Sequence, residues 1–290
     1  MRYLKNPRVL LLLSMTIFGT VGIFVRNIPL PSEEIALYRA ALALLLIGLY
    51  LLISHKKITL TRPRLQLTVL LLSGAAMAMN WVLLFEAYKY TTISNATLAY
   101  YFAPTVVTVA STIIFKEKIT PLSVLCFVGS SAGIVLITGT QSGGDGDLIG
   151  ILFGLGAALL YASVVLMNKL LSDVAGIQRT FMQFLSAVAV LIPYVLIGTG
   201  IHLDGLSSNG WIALLIVGII HTGITYCMYF TSIGTLPGQK VAILSYVDPL
   251  VAVLASVFIL GEDITPLQIV GGIMILGFSL LSELMPKKNN

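Results

Sequence analysis

Four ionisable side chains, Arg39, Glu86, His221 and Asp248, stand within stretches otherwise apolar enough to cross a bilayer. A charge in hydrocarbon is expensive, so such groups are first candidates for ion, proton or charge sites. Asp248 has two functional readings, a proton or cation site and the group that neutralises a cationic substrate. Its own helical face carries Ser245, Ala252 and Ala255, small residues suited to a tight helix contact, so a buried carboxyl held by a neighbouring helix is the structural alternative. Glu86 lies beside Lys89 near the end of its stretch and reads as a solvated end charge. Arg39 lies less than two turns from the end of its own and is expected to reach the interface or to pair with Glu33, Glu34 or Glu86. Anion binding is its competing role.

Two prolines stand among these groups. Pro104 and Pro249 each remove a helical hydrogen bond and free the carbonyl four residues earlier, at Tyr100 and Ser245. In hydrocarbon a freed carbonyl must find a donor or line a cavity, so each proline is a static kink or a hinge. Tyr101 shares a helical face with Pro104, Thr108 and Ser111, and Tyr246 shares one with Pro249, Val253 and Ser256. A face mixing tyrosine and serine suits a protein-lined space better than lipid. Asp248 lies about 200° around a straight helix from Tyr246, so on an unbent helix the two cannot face one cavity.

The elements that position these residues follow from composition. Mean hydropathy is +0.98, with 57% hydrophobic and 10% charged residues, against roughly 25% charged in soluble domains. That excludes an ordinary soluble domain and predicts an all-α membrane protein. The formal charge of +5 sits in short clusters between apolar segments, where it sets topology and leaves no continuous basic face for nucleic acid. Cys126 and Cys227 fall inside apolar segments and read as free, buried thiols, with no disulfide, metal site or cofactor implied. Arg2, Lys5 and Arg8 before an apolar run outline a signal peptide, but no small-x-small cleavage site follows and further spans do, so a retained first helix is expected.

Spans are predicted near 8 to 26, 33 to 53, 66 to 86, 94 to 115, 120 to 139, 148 to 168, 177 to 198, 210 to 231, 238 to 260 and 265 to 284, each of about 20 residues. Short connections carry turn chemistry, as at Arg62-Pro63, Thr120-Pro121, Gly143-Gly144, Asp204-Gly205 and Thr265-Pro266, so consecutive helices run antiparallel. Of the 17 Lys and Arg residues, all but Arg26, Lys89 and Arg39 fall at alternate connections, which places both termini in the cytoplasm.

The chain also repeats itself. Tyr101, Pro104, Ala110, Ser111, Ile114, Glu117, Ile119, Thr120 and Pro121 recur half of the 290 residues later, without a gap, as Tyr246, Pro249, Ala255, Ser256, Ile259, Glu262, Ile264, Thr265 and Pro266. The two units are 1–142 and 143–290, each of five helices. An odd number of crossings inverts the second unit, which explains why Lys116 and Lys118 beside Glu117 have no basic counterparts beside Glu262. Inverted repeats are a carrier design in which two halves rock about a central site. The repeat also singles out differences: Asp248 stands opposite Ala103, Glu86 opposite Thr231, and His221 opposite Ala76.

The run Ala87-Tyr88-Lys89-Tyr90-Thr91-Thr92, Pro104, Phe115-Lys116-Glu117 with Thr120-Pro121, and their second-half counterparts Pro249, Leu260-Gly261-Glu262 and Thr265-Pro266 resemble the drug/metabolite transporter superfamily, specifically its EamA-type ten-helix carriers. The resemblance covers essentially the whole chain. It implies that helices one, three, four, six, eight and nine surround a central cavity, for which Asn80, Trp81, Tyr161, His221, Thr225 and Tyr226 are candidate lining beside Tyr101 and Tyr246. It further implies carriage of amino acids, other metabolites or drugs, mostly by export; the expected setting is the inner membrane and the expected state a monomer or homodimer.

Other classes lack residues. Gly144-Asp145-Gly146-Asp147 spells the G-x-G-D of aspartyl intramembrane proteases, but it falls in a connection and no second aspartate motif lies in a span, so it reads as turn chemistry. No zinc-protease motif, nucleophile elbow or phosphate loop is present, and the expected protein is not an enzyme. Scattered single charges do not make a channel's ring. The expected function is carriage of a small polar metabolite by alternating access, amino acids first, with an organic-cation carrier using Asp248 or a non-transporting scaffold as alternatives. Small solute and lipid are the expected partners.

Overall fold

The computed structural model describes residues 6–55, 60–116, 120–139, 145–171, 173–233, 236 and 238–284. Several residues used for topology, namely Arg2, Lys5, Lys56, Lys57, Glu117, Lys118, Gly143, Gly144, Lys287 and Lys288, lie outside them. The described chain is helical throughout. It forms α1 (Pro7–Arg26), α2 (Ser32–Ile53), α3 (Pro63–Tyr90), α4 (Ile93–Ile114), α5 (Pro121–Gly139), α6 (Asp145–Lys169), α7 (Gly176–Ile197), α8 (Ser208–Ser232), α9 (Gly238–Ser245 continued by Val247–Leu260) and α10 (Pro266–Leu284). Among the described residues eight helices are long and apolar enough to cross a membrane, and α5 and α10 contribute shorter apolar stretches.

Local chemistry starts and stops these helices. Asn6 caps α1 by accepting from Arg8 N, with Pro7 in the first turn where its missing N–H costs nothing. Thr92 and Ser207 cap α4 and α8 through Asn95 N and Gly210 N. At α10, Thr265 Oγ1 accepts from Gln268 N while Gln268 Oε1 accepts from Thr265 N, a reciprocal capping box ahead of Pro266. Gly261, at φ +67°, ends α9 in the left-handed conformation that glycine adopts without strain.

Packing places the core between α2, α3, α7 and α8, around Ile35, Ile47, Phe85, Phe184 and Leu191. Elsewhere large apolar side chains face outward, Ile197 86% and Phe258 79% exposed, a surface suited to lipid rather than water. The small-residue stripes form contacts inside this one chain. On α5, a Cβ at Gly133 would meet the Gly271 carbonyl of α10 at 2.7 Å, and on α6 a Cβ at Gly154 would meet the Ala96 carbonyl of α4 at 3.0 Å.

Three helices are irregular at their centres. α4 breaks at Tyr101 (φ −73°, ψ 5°) and restarts at Ala103. α9 breaks at Tyr246 (φ −73°, ψ −4°) and restarts at Val247. Pro104 and Pro249 therefore lie in the first turn of a new helical segment rather than inside a continuous helix, where a proline is tolerated. The Tyr101 carbonyl accepts from Ser279 Oγ of α10 at 3.1 Å. In α8, Ile216–Ile224 is wound as a π-helix, and Thr222 and Thr225 hydroxyls donate to carbonyls five residues back.

Candidate functional site

The irregular segments converge on a polar cluster. The hydroxyl of Tyr101 donates to Asp248 Oδ2 at 2.6 Å, across the contact between α4 and α9. Asp248 is half-buried, and among the described residues no cation pairs with it. The break at Tyr246 removes the straight-helix objection: Tyr246 and Asp248 both flank Tyr101, whose ring lies 6.0 Å from that of Tyr246. Tyr100 packs against Tyr101 at 5.9 Å and against the half-exposed Tyr161 of α6 at 5.4 Å. On α1, Gly19 backs directly onto the Asp248 carbonyl, so close that a Cβ there would lie 2.5 Å from it.

A second charge lies deeper. Arg39 is 5% exposed, its guanidinium 4.6 Å from the Trp81 ring centre and 5.3 Å from that of Phe85. Its Nε donates to Thr222 Oγ1 at 2.9 Å, and that threonine is presented by the π-helical stretch of α8. The expectation that Arg39 reaches the interface or pairs with Glu33, Glu34 or Glu86 is incorrect. Its side chain turns inward onto Trp81, where stacking takes over from an ion pair. Glu34 is held instead by His202, whose N donates to Oε2 at 3.0 Å and whose Nδ1 lies 2.6 Å from Oε1. Glu86 accepts from Lys89 at 2.9 Å and from Ser32 at 2.6 Å, in keeping with an end charge.

Aromatic side chains flank each charge. Tyr226 packs edge-on against Phe18 at 5.2 Å and Phe184 at 5.3 Å, and Phe184 lies 5.3 Å from Trp81. Of the candidate wall residues, Trp81 and Tyr226 meet through Phe184, and Tyr101, Tyr161 and Tyr246 form a second group around Tyr100 and Tyr101. Asn80 and His221 each bond to another helix. Asn80 Nδ2 donates to the Ala157 carbonyl of α6 at 2.6 Å. His221 Nε2 lies 3.0 Å from Thr20 Oγ1 and Nδ1 3.3 Å from the Ile216 carbonyl, so both ring nitrogens are engaged within the bundle. These two side chains tie helices together.

One end of the bundle is clasped. Arg26 of α1 pairs with Glu262, just beyond α9, and donates to the Thr91 carbonyl at 3.2 Å. Glu262 also accepts from Ile93 N at 3.0 Å and from Ser256 Oγ, which in turn accepts from Ser94 Oγ at 2.8 Å. Asp147 accepts from Thr91 Oγ1 at 2.7 Å, so the Asp145–Asp147 part of the G-x-G-D run belongs to the first turn of α6 rather than to a solvated connection. Beside the clasp, a pocket of about 310 Å³ is lined by Val25, Ile28, Ile35, Phe85 and Tyr88, with Arg26 and Lys89 at its edge.

The sequence reading missed Thr222, Tyr88, Tyr100, Phe184 and the Arg26–Glu262 pair. For the pair a signal existed, since both residues fall on the side with few cations. For Thr222 none did, because only the π-helical winding aims it at Arg39.

A sequence model of the EamA-like transporter family matches this chain twice, over residues 7–139 and 148–283. The chain belongs to that family. Relatives include the uncharacterized transporter YxxF of Bacillus subtilis, 31% identical over 91% of this chain and 85% of its own length. An uncharacterized transporter of Archaeoglobus fulgidus is 24% identical over 97% of each chain. Human solute carrier family 35 member G1 is 25% identical over 55% of this chain and 47% of its own. A solved crystal structure shares the fold, with a TM-score of 0.68 over 96% of this chain and 98% of the other at 16% identity. As an EamA-family member the chain is an integral membrane transporter.

Proposed function

We propose that this transporter exports a small polar metabolite, amino acids or related compounds first, by alternating access in the inner membrane with both termini cytoplasmic. The observation that carries the reading is a pair of opposite charges kept inside the apolar bundle, Asp248 held by Tyr101 where α4 and α9 break and Arg39 buried against Trp81. Charges kept inside an apolar bundle serve a solute or ion pathway by default. Broken helices at such a site are where backbone leaves its regular ladder and two half-bundles can bend.

Helix pairing supports a two-unit, inverted reading. α3 packs on α6 and α7, and the counterpart of α3, which is α8, packs on α1 and α2. α4 packs on α6, as α9 does on α1, while α5 and α10 pack on each other. The Arg26–Glu262 clasp then closes the external end. The test is solute counterflow in proteoliposomes with a panel of amino acids, amines and nucleobases. Exchange of at least one amino acid is the expected result, and a protein that moves none of them sinks the reading. A second reading, carriage of organic cations, is favoured by Asp248, whose carboxylate has one protein donor and no pairing cation among the described residues.

A further inference from the structure

We infer that Arg39 is the carboxylate-docking residue of the transport cavity, so that the solute carries an anionic group at this end and its cationic or hydrogen-bonding group toward Asp248. The inference rests on the proposed transport reading and names the substrate chemistry of the same site.

Arg39 is 5% exposed, yet among the described residues only its Nε finds an acceptor, Thr222 Oγ1, and no carboxylate pairs with it. A guanidinium presents five donors in a planar fork, and a buried one held only by ring stacking and one hydroxyl keeps the Nη edge of that fork unspent. Carboxylates fill such an edge with two parallel hydrogen bonds. Trp81 and Phe85 fix the guanidinium plane at 4.6 and 5.3 Å, which orients the fork before any ligand arrives. Phe85 also lines the 310 Å³ pocket, which therefore reaches to within one aromatic ring of Arg39.

The repeat gives an independent argument. In the register that aligns Tyr101 with Tyr246, Arg39 is opposite Phe184, and Trp81 is opposite Tyr226. Arg39 packs on Trp81 and its counterpart Phe184 packs on Tyr226, the counterpart of Trp81, so an apolar ring satisfies the packing at this position in the second unit and the guanidinium is not needed for it. The first unit thus contributes the buried cation and the second, through Asp248 opposite Ala103, the anion. Each charge is held by an aromatic side chain of the first unit, Arg39 by Trp81 and Asp248 by Tyr101. A zwitterion engaging both neutralises both groups at once, which a plain amine or a plain acid does not.

The experiment compares each standard L-amino acid with its methyl ester and its decarboxylated amine, read by thermal stabilisation of purified protein and by counterflow. In the native protein at least one free acid raises Tm and exchanges, and its ester and amine bind at least about 30-fold more weakly, the scale for removing one member of a desolvated charge pair. Arg39→Gln shows the same loss for the acid with little change for the ester, and Arg39→Lys recovers part of it. The ester comparison needs no variant, so it stands even if Arg39→Gln fails to fold. Acid and ester binding and exchanging equally would overturn the docking role while leaving transport intact. A panel in which nothing binds or exchanges overturns the amino-acid reading and this inference with it.

Discussion

The segment Tyr101–Pro104 and the segment Tyr246–Pro249 are the same device with different charge. Both break a helix at the tyrosine, with nearly identical backbone angles, and both restart it ahead of the proline. They differ at Phe102 against Val247 and, in charge, at the residue before the proline, Ala103 in one and Asp248 in the other. Tyr101 serves the opposite unit, donating its hydroxyl to Asp248. The counterpart serines differ in the same way: Ser256 is held to Glu262 and Ser94, whereas Ser111 accepts from Lys169 at 2.9 Å, with Lys169 lying over the Phe115 ring. A shared backbone break thus recurs in both copies, and only one copy carries a charge beside it.

The largest test removes the asymmetry. Asp248→Asn is expected to bring pH-gradient-driven transport in proteoliposomes to background while solute exchange persists; unchanged proton dependence would remove Asp248 from coupling. Placing the carboxylate in the other copy, as Ala103→Asp with Asp248→Ala, is expected not to restore transport, because the only buried arginine of the site, Arg39, belongs to the first unit. Recovery would mean that the two copies are interchangeable.

A smaller effect separates the tyrosines. Tyr101→Phe removes a hydrogen bond to a charged group, worth about 1.5–3 kcal/mol, and is expected to reduce transport by about tenfold or more, while Tyr246→Phe costs less. Equal losses would show that Tyr101 is wall rather than donor to Asp248.

The clasp yields a change in accessibility. In a background lacking Cys126 and Cys227, Ser94→Cys is expected to react slowly with a membrane-impermeant thiol reagent and several-fold faster after Glu262→Gln. No difference would separate the clasp from gating. The smallest effect belongs to the prolines. Pro104→Ala and Pro249→Ala should each change stability by under about 1 kcal/mol, since each stands in a first turn where its N–H is not required. Matched reductions in transport rate would support paired hinges; an effect in one copy alone would make the other a static kink.

Much of this was legible in one dimension. Hydropathy of +0.98 and the spacing of apolar runs expose the helices, because every backbone group in lipid must be satisfied within its own segment. The Tyr-x-x-Pro repeat exposes the two breaks. The placement of Arg39 was not legible. Its distance from a helix end suggested an interface, but four helices decide where a guanidinium points, and Trp81, Phe85 and Thr222 come from two of them. Asn80 and His221 show a related limit of spacing: a polar side chain in a span serves a pathway, another helix or both, and their hydrogen bonds to other helices appear only in the fold.

The sequence by itself determined the membrane class, the helices, the duplicated unit and the charge that distinguishes its copies, since hydrophobicity and internal repetition are properties of order along the chain. Tertiary structure alone decided that Tyr101 meets Asp248, that Arg39 is stacked and buried, and that Arg26 closes on Glu262. Each of those contacts joins residues far apart in the chain, and their geometry is set by helix packing rather than by spacing.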